Sequence, residues 1–171
     1  MADPERGSVT ASGGIAPRVL QSWVAPRRVV RGLSAMPERV KLVVLMAAML
    51  VFLVAQAPAH ARLAQLDPSV PFEARMGGAL LAVMFLMPVL AYAVASLVTL
   101  LSRLTPWHLT QEDSRLALFW ALLAVAPAML LAGLVAGLVG PGPALAVVQA
   151  ICGAGFLMIW GAGIAALARR K

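Results

Sequence analysis

Charged side chains are scarce in this sequence. Only 12% of its 171 residues are Asp, Glu, Lys or Arg, while 61% are hydrophobic. A water-soluble domain carries about 25% charge, so this chain lacks the polar surface needed to cover a core in water. Disorder and collagen-like repeats are excluded by the same composition. The one cysteine, Cys152, lies inside an apolar block, which rules out an intramolecular disulfide and a cysteine-based metal centre. Histidine is nearly absent as well, with only His60 and His108. What the chain has instead is apolar length, and its mean hydropathy is +0.89.

That length falls into four blocks. A bilayer core takes about 20 mainly apolar residues per helix, with a range of about 17–25. The first block runs from Val40 to Ala57, entered at Pro37, which suits a first helical turn, and left at Pro58. The second, Met76 to Leu101, is uncharged throughout and contains Pro88. The third, Leu116 to Val139, contains Pro127. The fourth, Ala144 to Ala168, ends in Arg169, Arg170 and Lys171. Only Gly140-Pro141-Gly142-Pro143 separates the last two, a turn sequence that makes them an antiparallel hairpin. The fold class is therefore all-α, a polytopic membrane bundle of four transmembrane helices. Ala57-Pro58-Ala59 is small enough for a signal-peptide cleavage site, but the apolar stretch starts about forty residues in and proline hinders processing. The first span is expected to remain.

Basic residues set orientation, because Lys and Arg near spans are retained on the cytoplasmic side. Seven precede the first span, two lie in each of the next two loops and three follow the fourth span. An even span number puts both termini together, and termini inside gives twelve basic residues inside against two outside. The expected location is the bacterial inner membrane with cytoplasmic termini. The net charge of +7 then speaks for topology and anionic headgroups rather than for nucleic acid.

Three segments lie outside the spans. Residues 1–16 are poor in large apolar side chains and read as a disordered cytoplasmic tail. Residues 17–36 form an amphipathic interfacial segment, with the helix itself over Pro26 to Met36. At 100° per residue, Val29, Val30, Leu33 and Met36 fall on one side and Arg27, Arg28 and Arg31 on the other. The apolar face suits the headgroup boundary, with the arginines on anionic lipid and Trp23 at the interface. The alternative is a helix packed on the ends of the spans. The remaining transmembrane domain covers 37–171. Within it, Thr110 with Asp113 three residues on resembles a capping box and predicts a helix restarting near Gln111, and Trp107 and Trp120 read as interfacial anchors.

Chemistry is hard to find. No span carries a charge in its interior, where such groups usually mark function; the polar side chains are Gln56, Tyr92, Ser96, Thr99, Gln149 and Cys152. His60 and His108 fall on opposite sides, so they cannot ligate one haem. Gly153-Ala154-Gly155 has neither the lysine nor the strand of a phosphate loop. No catalytic residue, cofactor or metal is expected. The glycines read as packing faces: Gly133 and Gly137 are a small-xxx-small pair, and Gly153, Gly155, Gly161 and Gly163 line the fourth span. Packing of the third span on the fourth is preferred over a homodimer.

Two stretches resemble a known family. The entry Gln21-Ser22-Trp23-Val24-Ala25-Pro26-Arg27-Arg28 and the later Ala117-Leu118-Phe119-Trp120 through Pro127, followed by Gly140-Pro141-Gly142, resemble the bacterial Yip-type (Yip domain) membrane proteins over about Val19 to Ala168. Members usually carry one span more than is counted here. The resemblance implies a polytopic helical protein with no catalytic residue to carry over, eukaryotic relatives being associated with Rab GTPases and membrane shaping.

These readings converge on a non-enzymatic integral membrane protein acting through helix-helix, lipid or complex association: an accessory or assembly subunit, a homo-oligomer, or an organiser of lipid. The competing reading is a carrier or channel for a neutral or lipid-like solute, through a cavity at Pro88 and Pro127 containing Tyr92, Ser96 and Gln149. A membrane enzyme would need His108, Glu112 and Asp113 to converge.

Overall fold

The computed structural model describes residues 14–170. Among them are six helices: α1 (Ile15–Gln21), α2 (Pro26–Gly32), α3 (Glu38–Leu66), α4 (Phe72–Ser102), α5 (Gln111–Leu138) and α6 (Pro143–Leu167). The last four are long and apolar enough to cross a membrane, so the chain is an all-α, multi-pass membrane bundle. Of the tail expected over 1–16, residues 1–13 lie outside the described residues, and Ile15 and Ala16 already belong to α1.

Local chemistry accounts for most helix starts. Pro26 and Pro143 open α2 and α6, where a missing N–H costs no helical bond. Thr110 caps α5: its Oγ1 accepts from the Asp113 N–H at 3.1 Å and its hydroxyl donates to Asp113 Oδ2 at 2.7 Å. Gly140 ends α5 with φ 90°, a left-handed conformation that costs glycine little. Its N–H still reaches the Val135 carbonyl at 3.0 Å.

Two prolines behave differently from expectation. Pro58 does not end the first span; α3 continues through it to Leu66. The extension packs against the end of α5, where Arg62 Nη1 donates to the carbonyls of Gly137 and Leu138 at 3.3 and 3.4 Å. A guanidinium on the last carbonyls of a helix opposes its negative end, and such contacts outweigh the one helical bond that proline removes. In α4 a π-helical turn, Ala82–Leu86, ends two residues before Pro88. The wider turn makes room for the proline ring, an adjustment membrane helices tolerate.

The four long helices do not form a closed ring. α5 is central, packed against α3 on one side and α6 on the other, with α4 against α3 and α5. Among the described residues α3 and α6 do not pack on each other, nor do α4 and α6. On the side holding both termini, α1 and α2 lie against α5 and α6. There Trp107–His108 pairs antiparallel with Arg169–Arg170, tying the α4–α5 loop to the end of α6.

Candidate functional site

The first feature is a tryptophan wedge. Trp23 lies in the turn between α1 and α2, and its Nε1 donates to the Ala124 carbonyl of α5 at 3.0 Å. The six-membered ring occupies the space a side chain on Gly155 of α6 would need. About two turns away along α6, Val30 and Ala117 meet Gly163 in the same way, with Ala117 Cβ 3.2 Å from where a Gly163 Cβ would stand. The segment from Trp23 to Val30 therefore descends along α5 and α6, and its tip reaches about 11 Å further into the bundle than Val30. Pro127 sits just beyond Ala124 and has no N–H for the Leu123 carbonyl four residues back, which leaves the backbone unusually rich in acceptors at this level.

This placement revises several expectations. Trp120 is not an interfacial anchor: it is 1% exposed, and its Nε1 donates to Ser22 Oγ at 2.8 Å, which donates on to the Arg18 carbonyl at 2.7 Å. Trp23 is a wedge between spans rather than a headgroup contact. Helix α2 is the expected amphipathic helix, shortened to end at Gly32, with Arg27, Arg28 and Arg31 exposed. Val29, Val30 and Leu33 are buried, so its apolar side is taken up by protein. Trp107 is exposed at the termini side.

The glycine partners change as well. Gly133 and Gly137 do not pack the third span on the fourth; they lie against the backbone of Ala55 and Pro58 in α3. Gly155 and Gly163 receive Trp23, Val30 and Ala117, while a side chain at Gly153 or Gly161 would meet nothing within 4 Å. Spacing identifies a small-residue face but not what presses on it.

The second feature is an ionic cluster that sequence reasoning missed. Lys41 is 2% exposed, with Nζ 3.3 Å from Glu38 Oε2 and 3.8 Å from Glu112 Oε2. Arg115 Nη1 meets Glu38 Oε1 at 2.8 Å, and its guanidinium lies 5.0 Å from the Tyr92 ring centre. The Glu38–Lys41 spacing is a visible helical pair; the link to Glu112 and Arg115 is tertiary. His108, Glu112 and Asp113 each have a different neighbour: His108 pairs with Arg169, Glu112 with Lys41 and Asp113 with Thr110.

The third feature is a cleft of about 620 Å³ where α3 and α6 stand apart in front of α5. Phe52, Gln56, Met129, Gln149, Cys152 and Phe156 are among its walls, which are apolar apart from the two amides. Of the polar residues expected in a cavity, Gln149 is present. Ser96 instead donates to the Tyr92 carbonyl at 2.8 Å and accepts from Gln111 Nε2 at 2.9 Å, and Tyr92 packs edge-on against Phe119. Trp23 packs against the buried cluster of Val125, Ala132 and Cys152, of which Val125 and Cys152 line the cleft, so the wedge lies behind that wall.

Beyond the spans, the α3–α4 loop is held by Asp67. Its carboxylate accepts from the Ser69 hydroxyl and amide and pairs with Arg75 Nη2 at 3.1 Å. The Ser69 bonds above all, with Arg75, hold its pKa below the usual carboxylate range. Among the described residues no three His, Cys, Asp or Glu side chains group to hold a metal. Comparison with known proteins finds no matching family model, no similar curated protein and no similar solved structure.

Proposed function

We propose that this chain is a non-enzymatic membrane protein that works by association within the bilayer, its cleft holding a lipid acyl chain. The cleft itself supports the reading: about 620 Å³ is within the usual range of ligand sites, it lies at the depth of the apolar helices, and its walls carry no charge. In a bilayer, lipid tails are the molecules that fill a lateral opening of this kind. Both termini are assigned to the cytoplasmic side of a bacterial inner membrane, on the distribution of Lys and Arg. The Yip-type resemblance belongs to the same proposal and agrees with an organising or accessory role.

Gly153 provides the test, because it lines the cleft and its open side has room for a ring. Gly153→Phe should fold normally and lose lipid that the wild type retains through mild-detergent purification, as read by mass spectrometry. Equal lipid retention by both proteins would overturn the proposal. A carrier for a lipid-like solute is the second reading, favoured by Gln56 and Gln149 in the wall. Solute flux in liposomes that Gly153→Phe blocks would establish it.

A further inference from the structure

A second, smaller pocket of about 230 Å³ opens where α2 ends, α5 begins and α6 ends, with Arg31, Ser34, Asp113 and Arg169 in its wall. Arg31 leaves the last turn of α2, and its Nε makes only a long contact, 3.5 Å, to the Ala166 carbonyl. Arg169 is positioned by its backbone pairing with His108. Among the described residues the ion pairs involve Lys41, Arg75 and Arg115; neither arginine of the pocket has a carboxylate within 4.0 Å. Asp113 is partly engaged, because Oδ2 accepts the Thr110 hydroxyl. Among the described residues, two guanidinium groups against one carboxylate leave the pocket one positive charge in excess.

From this geometry we infer a site for a singly charged phosphate ester, supplied by the headgroup of an anionic phospholipid. Paired guanidinium forks match phosphate oxygens in shape and charge, and one phosphodiester neutralises the excess. The location fits a lipid source: the pocket lies at the end of the apolar length of α6 and one turn outside Val30, which is the depth of the headgroups. Helix α2 then links two levels of the bundle, with Trp23 wedged in the apolar interior and Arg31 at the phosphate. The inference rests on the membrane reading but is independent of the cleft.

The experiment adds phosphatidylglycerol, phosphatidylcholine or glycerol phosphate to the delipidated full-length protein and reads bound species by native mass spectrometry. The wild type should bind phosphatidylglycerol over phosphatidylcholine, and Arg31→Gln with Arg169→Gln should weaken it by about tenfold per arginine. Arg103→Gln, exposed in the α4–α5 loop and outside the pocket, should leave binding unchanged. Asp113→Asn, which keeps an oxygen for Thr110, should tighten it, a change that a merely structural role for Asp113 would not produce. Competition by millimolar glycerol phosphate would keep the anion site but overturn the lipid as its source. Equal lipid binding by the wild type and a normally folded Arg31, Arg169 double variant would overturn the site itself. Release of the wild type from membranes by alkaline carbonate would instead overturn the membrane reading.

Discussion

The two halves of α5 differ more than any two helices of the bundle. From Leu116 to Ala126 almost every side chain is buried, whereas from Ala128 to Leu138 only Ala132 is. Pro127 marks the change. Before it, α3, α4, α6 and the α1–α2 segment surround the helix; the cleft between α3 and α6 starts at Leu122 and Val125 and runs past Pro127 to Ala136. Apolar composition is much the same on both sides, so hydrophobicity does not explain the difference. Lipid tails are as apolar as leucine, and membrane helices associate through close contact and buried polar bonds. Beyond Pro127 such contact is confined to the α3 side, at Gly133 and Gly137; the closed half adds the Trp23 wedge, the Ser22–Trp120 bond and the ionic cluster at Lys41.

Substitutions rank by how strongly they engage that contrast. The largest effect is expected for Gly133→Leu, because the new side chain would meet the Ala55 backbone, which cannot move aside as a side chain can. It should prevent assembly of α3 on α5, read as loss of the thermal transition in detergent. Trp23→Ala should destabilise the closed half by about 3–5 kcal/mol. Trp23→Phe, which keeps most of the ring and loses the bond to Ala124, should cost about 1 kcal/mol. Gly153→Phe, in the open half, should shift stability by under about 1 kcal/mol, since its side chain enters free space. If it proves as costly as Trp23→Ala, the two halves are not different in packing.

The smallest effect lies outside the spans. Because the Ser69 bonds and Arg75 depress the Asp67 pKa, the loop gains stability that is present above the ordinary carboxylate pKa and lost as pH falls through the lower folded value. Thermal transitions followed from about pH 5 down to about pH 2 should show a slight decline that Asp67→Asn removes. A decline of the same size in that variant would assign it to other carboxylates.

How much was legible follows the same division. The Thr110–Asp113 cap and the left-handed turn at Gly140 depend on neighbours in sequence and are readable there. Pro58 reads as a helix end because its local cost is visible, but the contacts that offset it come from Gly137 and Arg62. Trp120 reads as an interfacial anchor from its residue type, yet the α1–α2 segment that buries it lies about a hundred residues away in the chain, bonded through Ser22. Gly133 and Gly155 look like one kind of packing position and accept different partners, a backbone in α3 and an indole ring.

The sequence by itself determined that the chain forms four apolar helices, where the last two begin and end, and which faces are small, because these depend on composition, periodicity and nearest-neighbour chemistry. Only the tertiary structure decided that Trp23 enters between α5 and α6, that Lys41 meets Glu38, Glu112 and Arg115 in one cluster, and that α3 and α6 remain apart. Each of these depends on groups distant in the chain. In helices apolar on every face, no stripe of hydrophobicity specifies which side meets a neighbour.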